Sequence, residues 1–459
     1  MKTTTILSAL AAVGSVIATP TKSINEPPTK RDFSNTPKVT PSGTAFYDED
    51  GTRFLMRGIA YQPGGSSANL DPLSNPKVCL RDIKHFENMG INTIRVYSVD
   101  NLDDHDECME ALSKAGIYLV LDLNNPSYSI NREEPHDSYN TIYIQNVLAT
   151  VEAFSQYDNM LAFFSGNEVI NHEKDTDKTA PYIKALTRDI KNYQRAHGLP
   201  RIPVGYSAAD TSHNIMEQAN YFNCGSDDAR ADFFAFNDYS WCNTDFLVSG
   251  WDKKIQNFTD YGLPIFLSEW GCIENRPRKF DEWESLMHTN TTGVYSGGLM
   301  YEYTIEDNEF GIVEVDGNKD NVKTGREYDN LKSALAAYPS PTSNHPAEST
   351  THAVECPSSN SVDWQVNPTL IPSMPKEAEK FFDERVRGEG FGLKGAGSQF
   401  RADSGVAEES VESGVPQATG NAANSDDDDD AAMSLHVSVG ALTISAVSIF
   451  FTLFGAALL

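Results

Sequence analysis

Eight short apolar runs along the first two-thirds of the chain limit what it can become more than any other feature. They fall at 54–61, 93–97, 118–123, 161–168, 202–206, 233–239, 265–269 and 297–303, with roughly 20 to 40 helix-patterned residues between consecutive runs. Strands separated by helices lie parallel to one another and are buried on both faces. Eight in succession predict an α/β fold of the closed (β/α)8 kind, a TIM barrel, over 33–338. An open doubly wound sheet is the competing arrangement. It gathers its polar strand ends at one switch point, whereas here polar and aromatic residues close nearly every run.

Two glutamates at those endings stand out, in Ser165-Gly166-Asn167-Glu168-Val169 and Phe266-Leu267-Ser268-Glu269-Trp270-Gly271-Cys272. A lone Asn-Glu pair reads as a salt-bridged strand end. Two carboxyl groups at the C-terminal ends of two barrel strands are what a glycosidase turns toward a sugar. The strand endings also supply Gln62, Arg95, Tyr97, Asp122, Asn124, Asn167, Asp210, Asn237, Tyr239, Trp241, Trp270, Tyr301 and Glu302. Sugar hydroxyls need fixed donors and acceptors, and their C–H faces stack on rings. One carboxyl must stay protonated for the leaving oxygen while the other attacks the anomeric carbon. Glu168 follows an Asn167 amide suited to a sugar 2-hydroxyl and reads as acid/base; Glu269 reads as nucleophile. Arg95 reads as the charge partner that keeps a carboxylate ionised. Tyr301 reads as a donor to the nucleophile or the sugar, or as a packed aromatic rim. There is no His-Glu-x-x-His and no nucleophile elbow, so neither a metal, a cofactor nor a serine hydrolase is expected.

The ends of the chain point outside the cell. Residues 1–19 read as a signal peptide, and 20–32, with Lys30-Arg31, as a pro-segment or linker. The run 437–459 is uncharged and apolar, and no Lys or Arg follows Arg401. With Asn424-Ser425-Asp426 and a polar spacer before it, the ending reads as a GPI-anchor signal. Attachment falls at Asn424, or at Asn421-Ala422-Ala423, and 425–459 is removed on maturation. A type I membrane helix would carry cytoplasmic Lys or Arg instead. Between barrel and anchor signal, 339–386 reads as a C-terminal extension tied back by a disulfide, and 387–424 as a disordered Gly/Ser/acidic stalk. Gly390-Phe391-Gly392-Leu393-Lys394-Gly395 matches a dinucleotide fingerprint by letter only, because no strand precedes it. The net charge of −29 argues against a nucleic-acid partner.

Six cysteines in a secreted chain are expected to pair. Cys79 and Cys108 fall in neighbouring helices, Cys242 and Cys272 each follow a strand, and Cys224 and Cys356 remain. Six thiols allow about fifteen pairings in all. Asn257 and Asn290 head glycosylation sequons.

Taken together, Tyr61-Gln62-Pro63-Gly64-Gly65, Ile94-Arg95-Val96-Tyr97-Ser98, Gly166-Asn167-Glu168, Tyr206-Ser207 with Asp210, Tyr239-Ser240-Trp241-Cys242, Ser268-Glu269-Trp270-Gly271-Cys272 and Tyr301-Glu302-Tyr303 resemble the fungal cell-wall β-1,3-glucanosyltransferases, glycoside hydrolase family 72, over 33–382. The resemblance implies a retaining enzyme that cleaves β-1,3-glucan internally. It then joins the new reducing end to the non-reducing end of another glucan. It also implies a lipid-anchored location at the plasma membrane or in the cell wall. Donor sugars would meet Gln62, Tyr97, Asp122, Asn124, Asn167, Tyr239 and Tyr301; the acceptor would meet Glu168 and Asp210. The implied disulfides are Cys79–Cys108, Cys224–Cys356 and Cys242–Cys272. Too few cysteines follow the barrel for the Cys-rich carbohydrate-binding module of some members, so the chain resembles the branch without it. It departs from the family at Ile215, where an arginine is usual. An endo-β-1,3-glucanase and a weakly active glucan-binding wall protein are the alternatives.

Overall fold

The computed structural model describes residues 35–317, 320–341, 351–360, 362–407 and 412–413. The expected leader at 1–19, the segment 20–32, Asn424 and the tail 425–459 lie outside the described residues. Eight strands close into a parallel barrel: β1 (Met56–Ala60), β2 (Thr93–Val96), β3 (Tyr118–Asp122), β4 (Met160–Asn167), β5 (Val204–Ala209), β6 (Phe233–Asp238), β7 (Ile265–Trp270) and β8 (Tyr295–Met300). β8 pairs back onto β1 from Gly297↔Met56 to Met300↔Ile59. The principal helices are α1 (Pro76–Met89), α2 (Asp106–Lys114), α3 (Thr141–Phe154), α4 (Ala180–Ala196), α5 (Ile215–Asn223), α6 (Trp251–Phe258), α7 (Glu282–Leu286) and α8 (Arg326–Ala337). α1 shows how local signals set an element: Asn75 caps its start, Pro76 opens it, and Gly90 at φ 78° ends it. Every expected run forms a strand. β5 starts two residues late because Pro203 has no N–H to give the ladder.

The two-residue period of each strand divides the core. Ile94, Val96, Leu119, Leu121, Phe163, Phe234, Phe236, Ile265 and Leu267 pack outward in the main hydrophobic core. Met56, Val120, Ala162, Phe164, Phe233, Ala235, Phe266 and Leu299 form the inner cluster. A small antiparallel sheet (Thr40–Ser42, Ala45–Tyr47, Arg53–Phe54) contributes Phe46, whose ring lies 6.1 Å from those of Phe233 and Phe266. The N-terminal end of the barrel is therefore sealed by aromatic packing. The same alternation, carried toward the C-terminal ends, brings up Arg95, Asp122, Asn237 and Ser268, so the polar layer sits above the rings.

Disulfides join Cys79 to Cys108 between α1 and α2, Cys242 to Cys272 between the loops after β6 and β7, and Cys224 at the end of α5 to Cys356 in the extension. The extension also buries Trp364, whose ring lies 5.5 Å from that of Tyr221. Arg385 binds Glu152 at 3.0 Å and the His197 carbonyl at 2.8 Å.

The stalk expected from 387 needs correction, because ordered contacts continue to Ala407. The amides of Phe391, Gly392 and Leu393 donate to Asn146, Asn101 and Asp100 at 3.1, 3.1 and 3.2 Å. The Phe391 ring stacks on Tyr128 at 5.9 Å, and the Thr141 amide donates to Gly405 O at 3.0 Å. Little apolar surface is available here, as the composition indicates. The barrel instead supplies acceptors for backbone amides, and the glycines let the backbone reach them. A Cβ on Gly390 would sit 2.1 Å from Asn101 Oδ1, and one on Gly395 1.8 Å from the Tyr128 hydroxyl. Gly395→Ala is accordingly expected to lower unfolding stability by about 1–3 kcal/mol, read from the denaturant midpoint. An unchanged midpoint would mean that this segment does not pack on the barrel.

Candidate active site

Arg95 on β2 has no exposure to solvent. Its Nε and Nη2 grip Asp122 at the end of β3 at 2.8 and 3.0 Å, and its Nη1 donates to Glu269 Oε1 at 3.1 Å and to the Ser268 carbonyl at 3.2 Å. The guanidinium lies 4.4 Å from the Tyr97 ring centre and 4.6 Å from that of Phe164, resting on the inner aromatic layer. Glu269 receives two further donors: the Tyr97 hydroxyl on Oε1 at 2.8 Å and the Tyr239 hydroxyl on Oε2 at 2.6 Å. Burial pushes its carboxyl up to about 7. Arg95 and the two tyrosine bonds pull it down, while the nearby Glu168 charge pushes it further up. Asp122 is also raised by burial, against the opposing pull of Arg95.

Glu168 is positioned by an irregularity. The β4–β5 register shifts between Phe164 and Asn167, and Glu168 itself adopts φ 48°. A non-glycine residue in the left-handed region costs on the order of 1–3 kcal/mol and is found where a side chain must be aimed. The backbone is held by its amide on Ser207 O at 2.9 Å and by Arg132 Nη2 on its carbonyl at 2.7 Å. Its Oε1 accepts from Asn237 Nδ2 at 2.7 Å, and Asn237 Oδ1 in turn accepts from Ser268 Oγ at 2.9 Å, beside Glu269. Ser207 Oγ donates to Asn167 Oδ1 at 2.7 Å. Asn237 thus links Glu168 to Ser268, the residue before Glu269. Glu269 is buried and Glu168 half-exposed, an unequal pair of environments suited to unequal tasks.

The remaining expected residues divide into two groups. Tyr97, Asp122 and Tyr239 gather around Glu269, and Asn167 lies beside Glu168. The Tyr301 ring stands 6.3 Å from those of Tyr97 and Tyr239, but its hydroxyl meets Ser66 Oγ at 3.0 Å and not the nucleophile candidate. Gln62 is wholly buried and spends its amide on Leu70 O at 2.7 Å and on the Tyr97 and Ser98 amides at 3.1 Å. Asn124 ties β3 to Ser165 O at 2.8 Å and accepts from the Tyr143 hydroxyl. Both residues position strand ends. Asp210 is bound by Lys254 at 2.5 Å, and the same ammonium binds Asp238 at 2.8 Å. Burial and Asp238 raise the Asp210 carboxyl, and Lys254 pulls it back. Ile215 opens α5 and packs partly against the core. Lys254, Arg132 and the Ser207–Ser268 pair escaped sequence reasoning. Lys254 lies on an amphipathic helix and reads there as a solvated charge.

Comparison with known proteins agrees with this geometry. Residues 29–338 match the family model described as Glucanosyltransferase, glycoside hydrolase family 72. Over 393 residues the chain is 50% identical to 1,3-beta-glucanosyltransferase gel1 of Aspergillus fumigatus, spanning 85% of this chain and 84% of that protein. It is 46% identical to 1,3-beta-glucanosyltransferase GAS5 of Saccharomyces cerevisiae over 353 residues, 76% of this chain and 72% of that one. A solved structure of Saccharomyces cerevisiae Gas2p, a Glu-to-Gln mutant in complex with laminaritetraose and laminaripentaose, superposes with a TM-score of 0.69. It is 36% identical and covers 76% of this chain and 77% of its own. In sequence and in barrel, the chain belongs to the glucanosyltransferase family, glycoside hydrolase family 72.

Proposed function

We propose that this protein is a retaining β-1,3-glucanosyltransferase in which Glu269 is the nucleophile and Glu168 the acid/base. The observation that carries the assignment is the contrast between them. One carboxylate is buried under three donors, and the other is half-exposed at the end of an adjusted strand. The named activity of the relatives and the laminari-oligosaccharides bound to Gas2p support β-1,3-glucan as donor and acceptor.

In the first step a Glu269 oxygen attacks the anomeric carbon as the glycosidic C–O bond breaks, and Glu168 gives its proton to the leaving oxygen. Arg95, Tyr97 and Tyr239 hold the attacking carboxylate in one orientation without neutralising it. In the second step Glu168, now ionised, takes the proton of an acceptor hydroxyl, whose oxygen displaces Glu269. Microscopic reversibility makes the acid of one step the base of the next. The rings of Tyr97, Tyr239, Tyr301 and Phe310 offer an aromatic wall for the sugar faces. Hydrolysis is the second reading, favoured by the apolar Ile215 where the resemblance implies an arginine for the acceptor. The cell-surface location, the anchor at Asn424 and glycans on Asn257 and Asn290 belong to the same proposal. Both sequon asparagines are exposed. Among the described residues no helix is long and apolar enough to cross a membrane.

Incubation with a defined β-1,3-gluco-oligosaccharide is expected to yield products longer than the substrate. Only shorter products would mean hydrolysis, and an unchanged ladder would mean binding without turnover. Glu269→Gln should abolish turnover and Glu168→Gln reduce it by about 10²–10⁴-fold, measured on the same ladder; full activity in either variant removes the role assigned to it. The nucleophile must be ionised, so kcat/KM should fall as pH drops through the Glu269 pKa. Tyr239→Phe removes a bond that favours the carboxylate, and it should move that acid limb to higher pH by about one unit. A limb that stays in place or moves down would detach Tyr239 from the titration.

A further inference from the structure

Beyond β8 the chain runs through Tyr301 and Glu302 into a loop containing Glu306 and Asn308. Glu302 is a glutamate with no exposure to solvent. Its Oε1 accepts from Asn308 Nδ2 at 2.8 Å, and its Oε2 meets no hydrogen-bond donor among the described residues. The other hydrogen on the same Asn308 nitrogen is directed at the Tyr301 hydroxyl, 3.2 Å away. An amide nitrogen only donates. Tyr301 accepts from Asn308 and directs its own hydrogen at Ser66 Oγ, 3.0 Å away. That leaves Ser66, half-buried on the β1–α1 loop, with a hydroxyl hydrogen to offer. The loop is fastened to the same segment a second time, by the Gly64 amide on Glu306 Oε1 at 2.7 Å.

Resting on the glucanosyltransferase reading, we propose that Glu302 and Asn308 are positioning residues. They fix the direction of the hydroxyl pair Tyr301–Ser66, so that Ser66 presents its proton to a sugar oxygen of the glucan in the cleft. An ionised Glu302 would leave a buried charge with one bare oxygen, which is costly. Burial pushes the group up to about 8, with Glu306 and Glu269 adding to the rise and the Asn308 and Tyr301 side chains opposing it. Glu302 thus serves as a neutral acceptor, a part that a glutamine carbonyl can also play. A methionine cannot, and without the acceptor the Asn308 amide is free to turn away from Tyr301.

The test uses the full chain as Glu302→Gln, Glu302→Met, Asn308→Ala, Ser66→Ala and the double Ser66→Ala/Glu302→Met. KM and kcat are measured on a β-1,3-gluco-oligosaccharide, and its Kd by titration calorimetry. Glu302→Gln is expected to stay within about twofold of wild type. Glu302→Met and Ser66→Ala should each weaken Kd and KM by about five- to tenfold, the range of one hydrogen bond, with kcat less affected. The double variant should be no worse than the worse single. If Glu302→Met does not fold, Asn308→Ala takes its place in the cycle. A Glu302→Gln variant as impaired as Glu302→Met, or losses that multiply in the double, overturns the relay. Wild-type turnover tests the parent reading separately, since the Kd ratios report on the relay even in a protein that does not lengthen its substrate.

Discussion

The Arg95 guanidinium cannot reach water and is kept by Asp122 on the neighbouring strand and Glu269 on a distant one. Burying such an ion costs several kcal/mol, and an apolar replacement of the whole group is often as stable. The trio is therefore better explained by chemistry than by folding. It ties β2, β3 and β7 across the barrel, and its lower surface is the Phe164 ring, so the apolar layer and the reactive layer share one boundary. Two carboxylates on one cation leave a surplus negative charge. Burial, with the Glu168 charge added to it, keeps the Glu269 carboxyl raised in spite of three donors. An ester at Glu269 removes that surplus and leaves Arg95 and Asp122 as a balanced pair. The resting electrostatics thus suit the covalent state that the proposed mechanism places on Glu269.

The two glutamates have reached this end of the barrel by different routes. Glu269 follows the ladder of β7, with a register shift after Leu267, and its surroundings are tyrosines and an arginine. Glu168 departs from its ladder into a left-handed conformation, held by Arg132 and the Ser207 carbonyl. Asn237 gives each route a common reference, donating to Glu168 and accepting beside Glu269. The conformational cost at Glu168 is a few kcal/mol at most, and two backbone anchors hold it.

The barrel was legible because parallel strands buried on both faces must be apolar along their length, and Phe233–Phe236 and Ile265–Leu267 satisfy that without ambiguity. The meeting of Glu168 and Glu269 at one end of the barrel was legible because both close a strand. Less visible were contacts that depend on side-chain direction. Gln62 and Asn124 have the chemistry of sugar ligands, and their amides also hold backbone groups and a tyrosine in place. The glycine-rich segment after 387 misled for a physical reason. Glycine serves flexibility and close approach equally well, and only the acceptors on Asn101, Asp100 and Asn146 distinguish the two uses.

Transfer and hydrolysis differ only in which oxygen reaches the intermediate, so the outcome is settled on the acceptor side. The resemblance puts Asp210 on that side, where Lys254 binds both Asp210 and Asp238. A carboxylate already engaged by an ammonium keeps a free oxygen as a fixed acceptor, and a sugar hydroxyl can donate to it without that group rotating. Water satisfies the same acceptor but brings no ring face to stack and no second contact. In that role a preorganised Asp210 would favour a polyhydroxylated acceptor over a small one. Ile215 contributes no donor to oppose or assist it. If the acceptor meets Asp210, whatever preference this chain shows for sugar over water rests on the Lys254–Asp210 pair.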